Sequence, residues 1–320
     1  MKKYIVTERA GGFGDIFCTL MGTWILAKYS NRDVIIDWRR NPCNWYCGPN
    51  IKEKKSGSYV PINSFLTVFD FPKSMLGVNF YLPEHIAEFG VRNNSNNFWE
   101  YDDLKILSQD SVSVEETNNI LFSDDIFIRN SIRYGTPCVG SPVNMDNKSF
   151  FSEKITIKDF FENIKINDFM LNKIKLHEER FIKNKVCGIH IRYGNNVETT
   201  NPSRYPNWID DSTLVESIKL KIQNLCDKDY HFFICTDTER VNEMLLKEIP
   251  NSFSLNKEYS SENEWIMLLN ARLNPISTFQ DAFLDMYFLT RCNKLIYINH
   301  SVFTTIPQCY YNDNDKISIF

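Results

Sequence analysis

The run Val186-Cys187-Gly188-Ile189-His190-Ile191-Arg192-Tyr193-Gly194-Asn195 sets the terms for everything around it. Its first half alternates small and β-branched apolar residues, the pattern of a strand buried inside a parallel sheet. Parallel strands need crossover connections, usually helical, so one such strand already points to an α/β fold. The second half is polar. His190 and Arg192 share a face by the two-residue period of a strand, and Gly194 lets the chain turn where a ligand approaches the backbone. Ligands of open α/β sheets sit at the carboxyl ends of strands, so a guanidinium there suggests an anion, phosphate first among them. An arginine that is merely solvated is the plain alternative, and this segment alone does not separate the two.

With 320 residues the chain exceeds the ~250 to 300 residues at which single cores stop growing, and two α/β domains are expected. A formal net charge of -4 provides no general basic field for nucleic acid or an anionic membrane, so any phosphate-binding charge has to be local. The 9 cysteines are scattered, with no CxxC pair and no Cys/His cluster at zinc spacing, which favours reduced thiols in the cytosol. The apolar part of Met1 to Arg9 is too short for a signal sequence. Ile16 to Ala27, interrupted by Thr19, Gly22 and Thr23, falls short of the ~20 residues of a spanning helix. A soluble cytoplasmic protein without an integral membrane segment is expected.

Along the chain, a strand at Tyr4–Thr7 leads through the glycine-rich Ala10 to Asp15 into an apolar helix from Ile16 to Tyr29. Free backbone amides at such a helix start make an anion or sugar-hydroxyl site. The turn is not GxGxxG, and Asp37 is followed by Trp38-Arg39, which speaks against a dinucleotide-binding oxidoreductase. The strand Val34 to Arg40 places Asp37, Trp38 and Arg39 at its end, either to hold a sugar, with Trp38 as stacking face, or as a surface tryptophan beside an ion pair. From Asn41 to Ser152 loop signals dominate, so the first domain is expected to be irregular, with a break giving domains 1–154 and 155–320.

The second half reads more clearly. A helix near Asn167 to Lys183 has Phe169, Ile174 and Leu176 among its apolar positions, and the organising strand follows it. The polar loop Asn196 to Trp208 is long enough to act as a lid. A helix from Ser212 to Leu225 leads to the strand His231 to Asp237, whose end carries Thr236 and Asp237. The buried helix Asp281 to Cys292 sets Asp281 and Asp285 on one face, where acids need donors such as a base edge or a ribose. After the strand Leu295 to Ile298 comes Ser301. Strand ends carrying Arg, Thr-Asp and Ser, with a buried acid nearby, describe a nucleotide pocket.

Gly12-Phe13-Gly14-Asp15, Ile36-Asp37-Trp38-Arg39, His190 to Asn195, Cys235-Thr236-Asp237, Leu284 to Tyr287 with Arg291-Cys292, and Ser301 to Thr304 occur in this order. As an ordered set they resemble the α1,6-fucosyltransferase family, above all its nodulation-factor members. The resemblance implies a GT-B-like α/β architecture of two Rossmann-type domains facing a cleft. Domain 155–320 would hold GDP-fucose and domain 1–154 would serve a glycan or glycolipid acceptor. Arg192 corresponds to the family arginine on the β-phosphate, His190 and Asp285 to guanine-nucleoside contacts, and Ser301 to a phosphate contact. Thr236 and Asp237 fall on the family's second motif, while Tyr193, Gly194, Asn195, Val302 and Phe303 complete the donor set. Gly12, Gly14, Asp15, Asp37, Trp38 and Arg39 fall on the acceptor side or cleft.

The family inverts the anomeric centre and needs no metal or other cofactor. Asp227-Lys228-Asp229 and Asp313-Asn314-Asp315 are formally DxD patterns, but one precedes a strand and the other lies in the tail. Tyr193 stands where eukaryotic relatives carry a second arginine, so the leaving-group charge falls to Arg192 and backbone amides. An inverting displacement needs one carboxylate as base. Glu198 is expected by position, with Asp15 or Asp37 as alternatives and an ordinary loop glutamate equally consistent. The expected activity is fucose transfer from GDP-fucose to a glycan hydroxyl. Another GDP-sugar, or a catalytically silent glycan or nucleotide binder, stays open at this point.

Overall fold

A computed structural model of the protein describes residues 2–7, 13–38, 63–87, 104–107, 114–130, 157–192, 211–257, 259, 275–298 and 301–319. The chain divides into two compact units, Met1–Asn167 and Asp168–Phe320.

Unit 1 contains β1 (Tyr4–Thr7), α1 (Phe13–Ser30), β2 (Asp33–Ile36), β3 (Ser74–Met75), β4 (Val78–Tyr81), β5 (Ile106–Leu107), α2 (Val114–Leu121), β6 (Phe127–Asn130) and α3 (Ile157–Asn163). Its sheet runs β3-β4-β2-β1-β6-β5. Every pairing is parallel except the β3–β4 hairpin. β1 is buried throughout because sheet neighbours and α1 cover it. α1 is itself buried along almost its whole length, as expected for a helix apolar on all sides. Buried Arg32 follows it, donating to the carbonyls of Leu121, Ser123 and Asp125 at 2.8 to 2.9 Å. It thereby satisfies acceptors that the end of α2 leaves open.

The boundary at Asn167/Asp168 comes later than the 154/155 break read from loop signals, and the reason is aromatic. Phe160 and Phe161 of α3 pack on Phe17 of α1 at ring separations of 5.8 and 5.3 Å, and Phe160 also meets Trp24 at 5.5 Å. Beyond α3, the amide of Asp70 donates to the Lys165 carbonyl and that of Asn167 to Val68. These contacts tie the segment after 154 to unit 1.

Unit 2 contains α4 (Asp168–Lys183), β7 (Lys185–Ile191), α5 (Asp211–Leu225), β8 (Tyr230–Thr236), α6 (Glu239–Glu248), β9 (Ser252–Phe253), α7 (Pro275–Leu289), β10 (Lys294–Tyr297), the short α8 (Thr305–Gln308) and β11 (Lys316–Ser318). The sheet is β11-β10-β7-β8-β9 and parallel throughout. β7 lies at its centre, with alternate residues serving two cores. Cys187, Ile189 and Ile191 join Leu214, Val215 and Ile218 of α5 and Val241 and Leu245 of α6. At Gly188 the strand comes so close to α7 that a Cβ would sit 2.7 Å from Leu289 Cδ2. Glycine fits this close approach without displacing the Leu289 methyl.

α4 buries Met170, Ile174 and Phe181, with the Phe181 ring stacked on Phe288 at 4.3 Å. Phe169 and Leu176, apolar by sequence, are exposed. Among the described residues no helix is long and apolar enough to cross a membrane.

Candidate nucleotide site

The polar ends of neighbouring strands meet at one edge of the unit 2 sheet because their pairing registers place them there. His190 lies opposite Cys235 of β8 and Tyr297 of β10, and Ile191 opposite Thr236. Arg192 and Asp237, the next residue on each strand, are therefore neighbours across adjacent tips. Arg192 Nη1 reaches Asp237 Oδ2 at 2.7 Å, with side chains 25% and 15% exposed. The guanidinium that the strand pattern placed at a ligand-binding edge is held there by the carboxylate of the adjacent strand. It retains further donors beyond the one engaged.

His190 is buried and stacks on Phe303, with ring centroids 5.0 Å apart and planes at 15°. Its Nδ1 has no hydrogen-bond partner among the described residues. Burial pushes its pKa down to about 3, against the pull of Asp237 and with the help of Arg192 and Lys257. The imidazole is thus neutral at ordinary pH and offers one donor and one acceptor. Phe303 covers one face of the ring, and the unpaired Nδ1 lies on its edge. Ser301 is buried at the start of the turn that carries Val302 and Phe303, with Thr304 Oγ1 donating to its carbonyl at 2.9 Å.

Thr236 is buried, and its hydroxyl too lacks a partner among the described residues. Buried polar atoms in native proteins are rarely left unpaired, and those that are call for a ligand, a water or a functional role. The two atoms lie at adjacent strand tips but on opposite faces of the sheet. Thr236, paired with Ile191, is on the α5 and α6 face. The unpaired His190 nitrogen is on the same face as Arg192 and Asp237, where it fits a site for a polar molecule.

Asp285 of α7 does meet a donor, though one that the sequence pattern did not indicate. Lys257, in the segment after β9, donates to Asp285 Oδ2 at 2.5 Å and to the Thr236 carbonyl at 2.7 Å. Lys257 lies in Ser254-Leu255-Asn256-Lys257, which has no period and no turn motif. Only the rule that a buried acid needs a cation pointed to it, without saying which one.

Gly14, Asp15, Asp37 and Trp38 belong to unit 1. Gly14 and Asp15 lie in the first turn of α1, where a carboxylate complements the helix dipole. Asp37 follows β2 and is buried, its amide donating to the Thr7 carbonyl at 3.3 Å. Trp38 is completely buried, its ring edge-on to Phe65 at 5.2 Å. That corrects its reading as a stacking face, since a ring enclosed by the core has no face to offer a sugar. β2 ends at Ile36, so the segment carrying Trp38 has left the strand and turned into the core. Gly12, Arg39, Tyr193, Gly194, Asn195 and Glu198 lie outside the described residues. Among the described residues no group of His, Cys, Asp or Glu could hold a metal ion.

A model of the family described as nodulation protein Z (NodZ) matches residues 150–313, just over half of the chain and nearly all of unit 2. The chain belongs to the NodZ family. NodZ relatives extend the likeness over both units. Nodulation protein Z of Azorhizobium caulinodans is 23% identical over 311 residues, spanning 95% of this chain and 88% of the relative. That of Bradyrhizobium diazoefficiens is 23% identical over 308 residues, 92% of this chain and 75% of its own.

The crystal structure of fucosyltransferase NodZ from Bradyrhizobium superposes with a TM-score of 0.60 at 20% identity, covering 96% of this chain and 92% of that one. A NodZ α1,6-fucosyltransferase co-crystallised with GDP superposes equally well. Arabidopsis thaliana FUT1, in complex with GDP, gives a TM-score of 0.59 at 13% identity, covering 99% of this chain and 70% of that one. At these identities the likeness is one of fold, and the fold is GT-B-like.

Proposed function

We propose that this NodZ-family chain is an inverting, metal-independent glycosyltransferase that moves fucose from GDP-fucose to a hydroxyl of a glycan. The observation that carries the reading is the cluster at the β7 and β8 tips. Arg192 is held by Asp237, with the neutral His190 and its unpaired nitrogen on the same face of the sheet. The names of its relatives support the donor: solved NodZ α1,6-fucosyltransferases were obtained with GDP and with GDP-fucose.

In this reading unit 2 binds the donor. Arg192 meets the β-phosphate and stabilises charge as the bond from the fucose anomeric carbon to the phosphate oxygen breaks. The imidazole edge of His190, Asp285 and the turn at Ser301 to Phe303 bind the nucleoside and phosphates. The acceptor oxygen forms its bond to the anomeric carbon from the opposite side. Its proton passes to a carboxylate, for which Glu198, Asp15 and Asp37 are the three options. Tyr193, Gly194 and Asn195 complete the donor side, while Gly12, Gly14, Asp15, Asp37 and Arg39 serve the acceptor side. The protein works in the cytoplasm with no cofactor beyond its sugar nucleotide.

The test is Arg192→Ala assayed for release of GDP from GDP-fucose in the presence of glycan acceptors. Turnover should fall by ~100-fold or more, in line with loss of a donor to a developing oxyanion, while the melting temperature stays near that of the native protein. Turnover at the native rate would contradict the role of Arg192. A native chain that binds GDP but transfers nothing to any acceptor would be a binding protein.

A further inference from the structure

Lys257 has no part in the mechanism above, yet its ammonium ties Asp285, which does, to the tip of β8. It bridges Asp285 Oδ2 and the Thr236 carbonyl, and the side chains of Lys257 and Asp285 are only 12% and 8% exposed. Two opposite charges buried this deeply are a poor choice for fastening a helix to a strand tip. An apolar pair of similar volume does that as well or better. The placement of the pair indicates another use. The segment bearing Lys257 leaves β9 at the edge where β8 ends in Thr236, and Lys257 acts electrostatically on both His190 and Cys235.

We propose that Lys257 is a positioning residue for the nucleotide: it fixes the Asp285 carboxylate at the sheet edge as a charged acceptor, engaging Oδ2 and leaving Oδ1 for an N–H or O–H of the nucleoside. The inference rests on unit 2 being a GDP-sugar site, and adds to it the group that keeps the acid serviceable. Without a counter-charge, a buried carboxylate takes up a proton as the pH falls and becomes a donor, wrong for a nucleoside N–H.

The groups facing Asp285 from the sheet hold their state as the pH falls, and Asp281, one turn earlier on the same face of α7, is common to the native protein and its Lys257 variants. His190 of β7 stays neutral, with its pKa at about 3. Burial holds Cys235 of β8 as the thiol and Tyr259, beyond Lys257, as the phenol. Further along the edge Arg192 and Asp237 are paired.

The test is calorimetric titration of the full chain with GDP at about pH 6 and about pH 8.5, comparing Lys257→Met with the native protein as a ratio of Kd values. The ratio removes the titration of the terminal phosphate, which falls near pH 6 in both proteins. The expected ratio is ~10 or more at the lower pH and ~3 or less at the higher. Lys257→Arg, which keeps the charge, should bring the ratio back towards one at both. Lys257→Gln carries the same comparison should Lys257→Met not melt cooperatively. A ratio equal at the two pH values, whether near one or raised throughout, overturns the inference. Failure of the underlying reading looks different, because the native chain itself would then take up no GDP.

Discussion

Each unit ends its parallel sheet in polar residues, but the two edges treat them differently. In unit 1 the polar side chains at the strand ends are buried in the fold, with the Thr7 hydroxyl at the end of β1 lacking a partner among the described residues. Asn130 at the end of β6 donates to Thr23 of α1 at 2.9 Å, Asp37 is buried, and Trp38 is enclosed against Phe65. In unit 2 the strand ends carry a charged pair that stays partly exposed, and beside it a buried, neutral histidine with an unpaired nitrogen. Sheet architecture alone therefore does not identify a ligand-binding edge. What distinguishes the unit 2 edge is a partly exposed arginine with donors to spare beside a neutral imidazole.

The sharpest way to break this comparison is Trp38→Ala. If the unit 1 edge is structural, removing a fully buried indole should destabilise the protein by about 3–5 kcal/mol in denaturant unfolding. Arg192→Ala, at the other edge, should by contrast affect turnover far more than stability. A Trp38→Ala protein of near-native stability would mean that the tryptophan is available to a ligand after all.

The second effect is on acid stability. Native His190 has a depressed pKa of about 3, against ~6.5 for an unfolded histidine. Between these values the unfolded chain binds a proton that the folded chain refuses, so stability falls as the pH drops through this window and recovers as it rises. The loss attributable to this one group is about 2 kcal/mol between pH 7 and pH 5. His190→Phe, which keeps an aromatic ring against Phe303, should remove that part of the slope. An unchanged slope would place the acid sensitivity elsewhere.

The smallest effect is expected at Asp237→Asn, which keeps an acceptor for Arg192 at a site water still reaches. Unfolding should change by less than about 1 kcal/mol. A loss well above that would mean the unit 2 edge is as closed as that of unit 1, removing the distinction.

Much of this was legible in the sequence, for identifiable reasons. β7 and β8 are apolar to their last turn of pleat and then abruptly polar, and parallel pairing leaves little choice but to bring Arg192 beside Asp237. The hairpin of β3 and β4 was not legible. It turns through Leu76 and Gly77 with φ of 49° and 85°, and leucine is a residue that no turn rule would place at a positive φ. The membership of α3 in unit 1 depends on which rings Phe160 and Phe161 meet, and a helix pattern carries no such address. Trp38 misled because a tryptophan after a strand reads alike whether it faces water or the core. Lys257 was invisible because an ion pair between residues 28 apart leaves no periodic trace.

The account stands or falls on the row of strand tips formed by β7, β8 and the turn after β10. Calorimetric titration of the native chain with GDP and, separately, with UDP addresses it most directly. Saturable binding of GDP, weakened at least tenfold for UDP (about 1.4 kcal/mol) and abolished by Arg192→Ala, is the predicted result. Equal binding of both nucleotides, or GDP binding indifferent to Arg192, would contradict it.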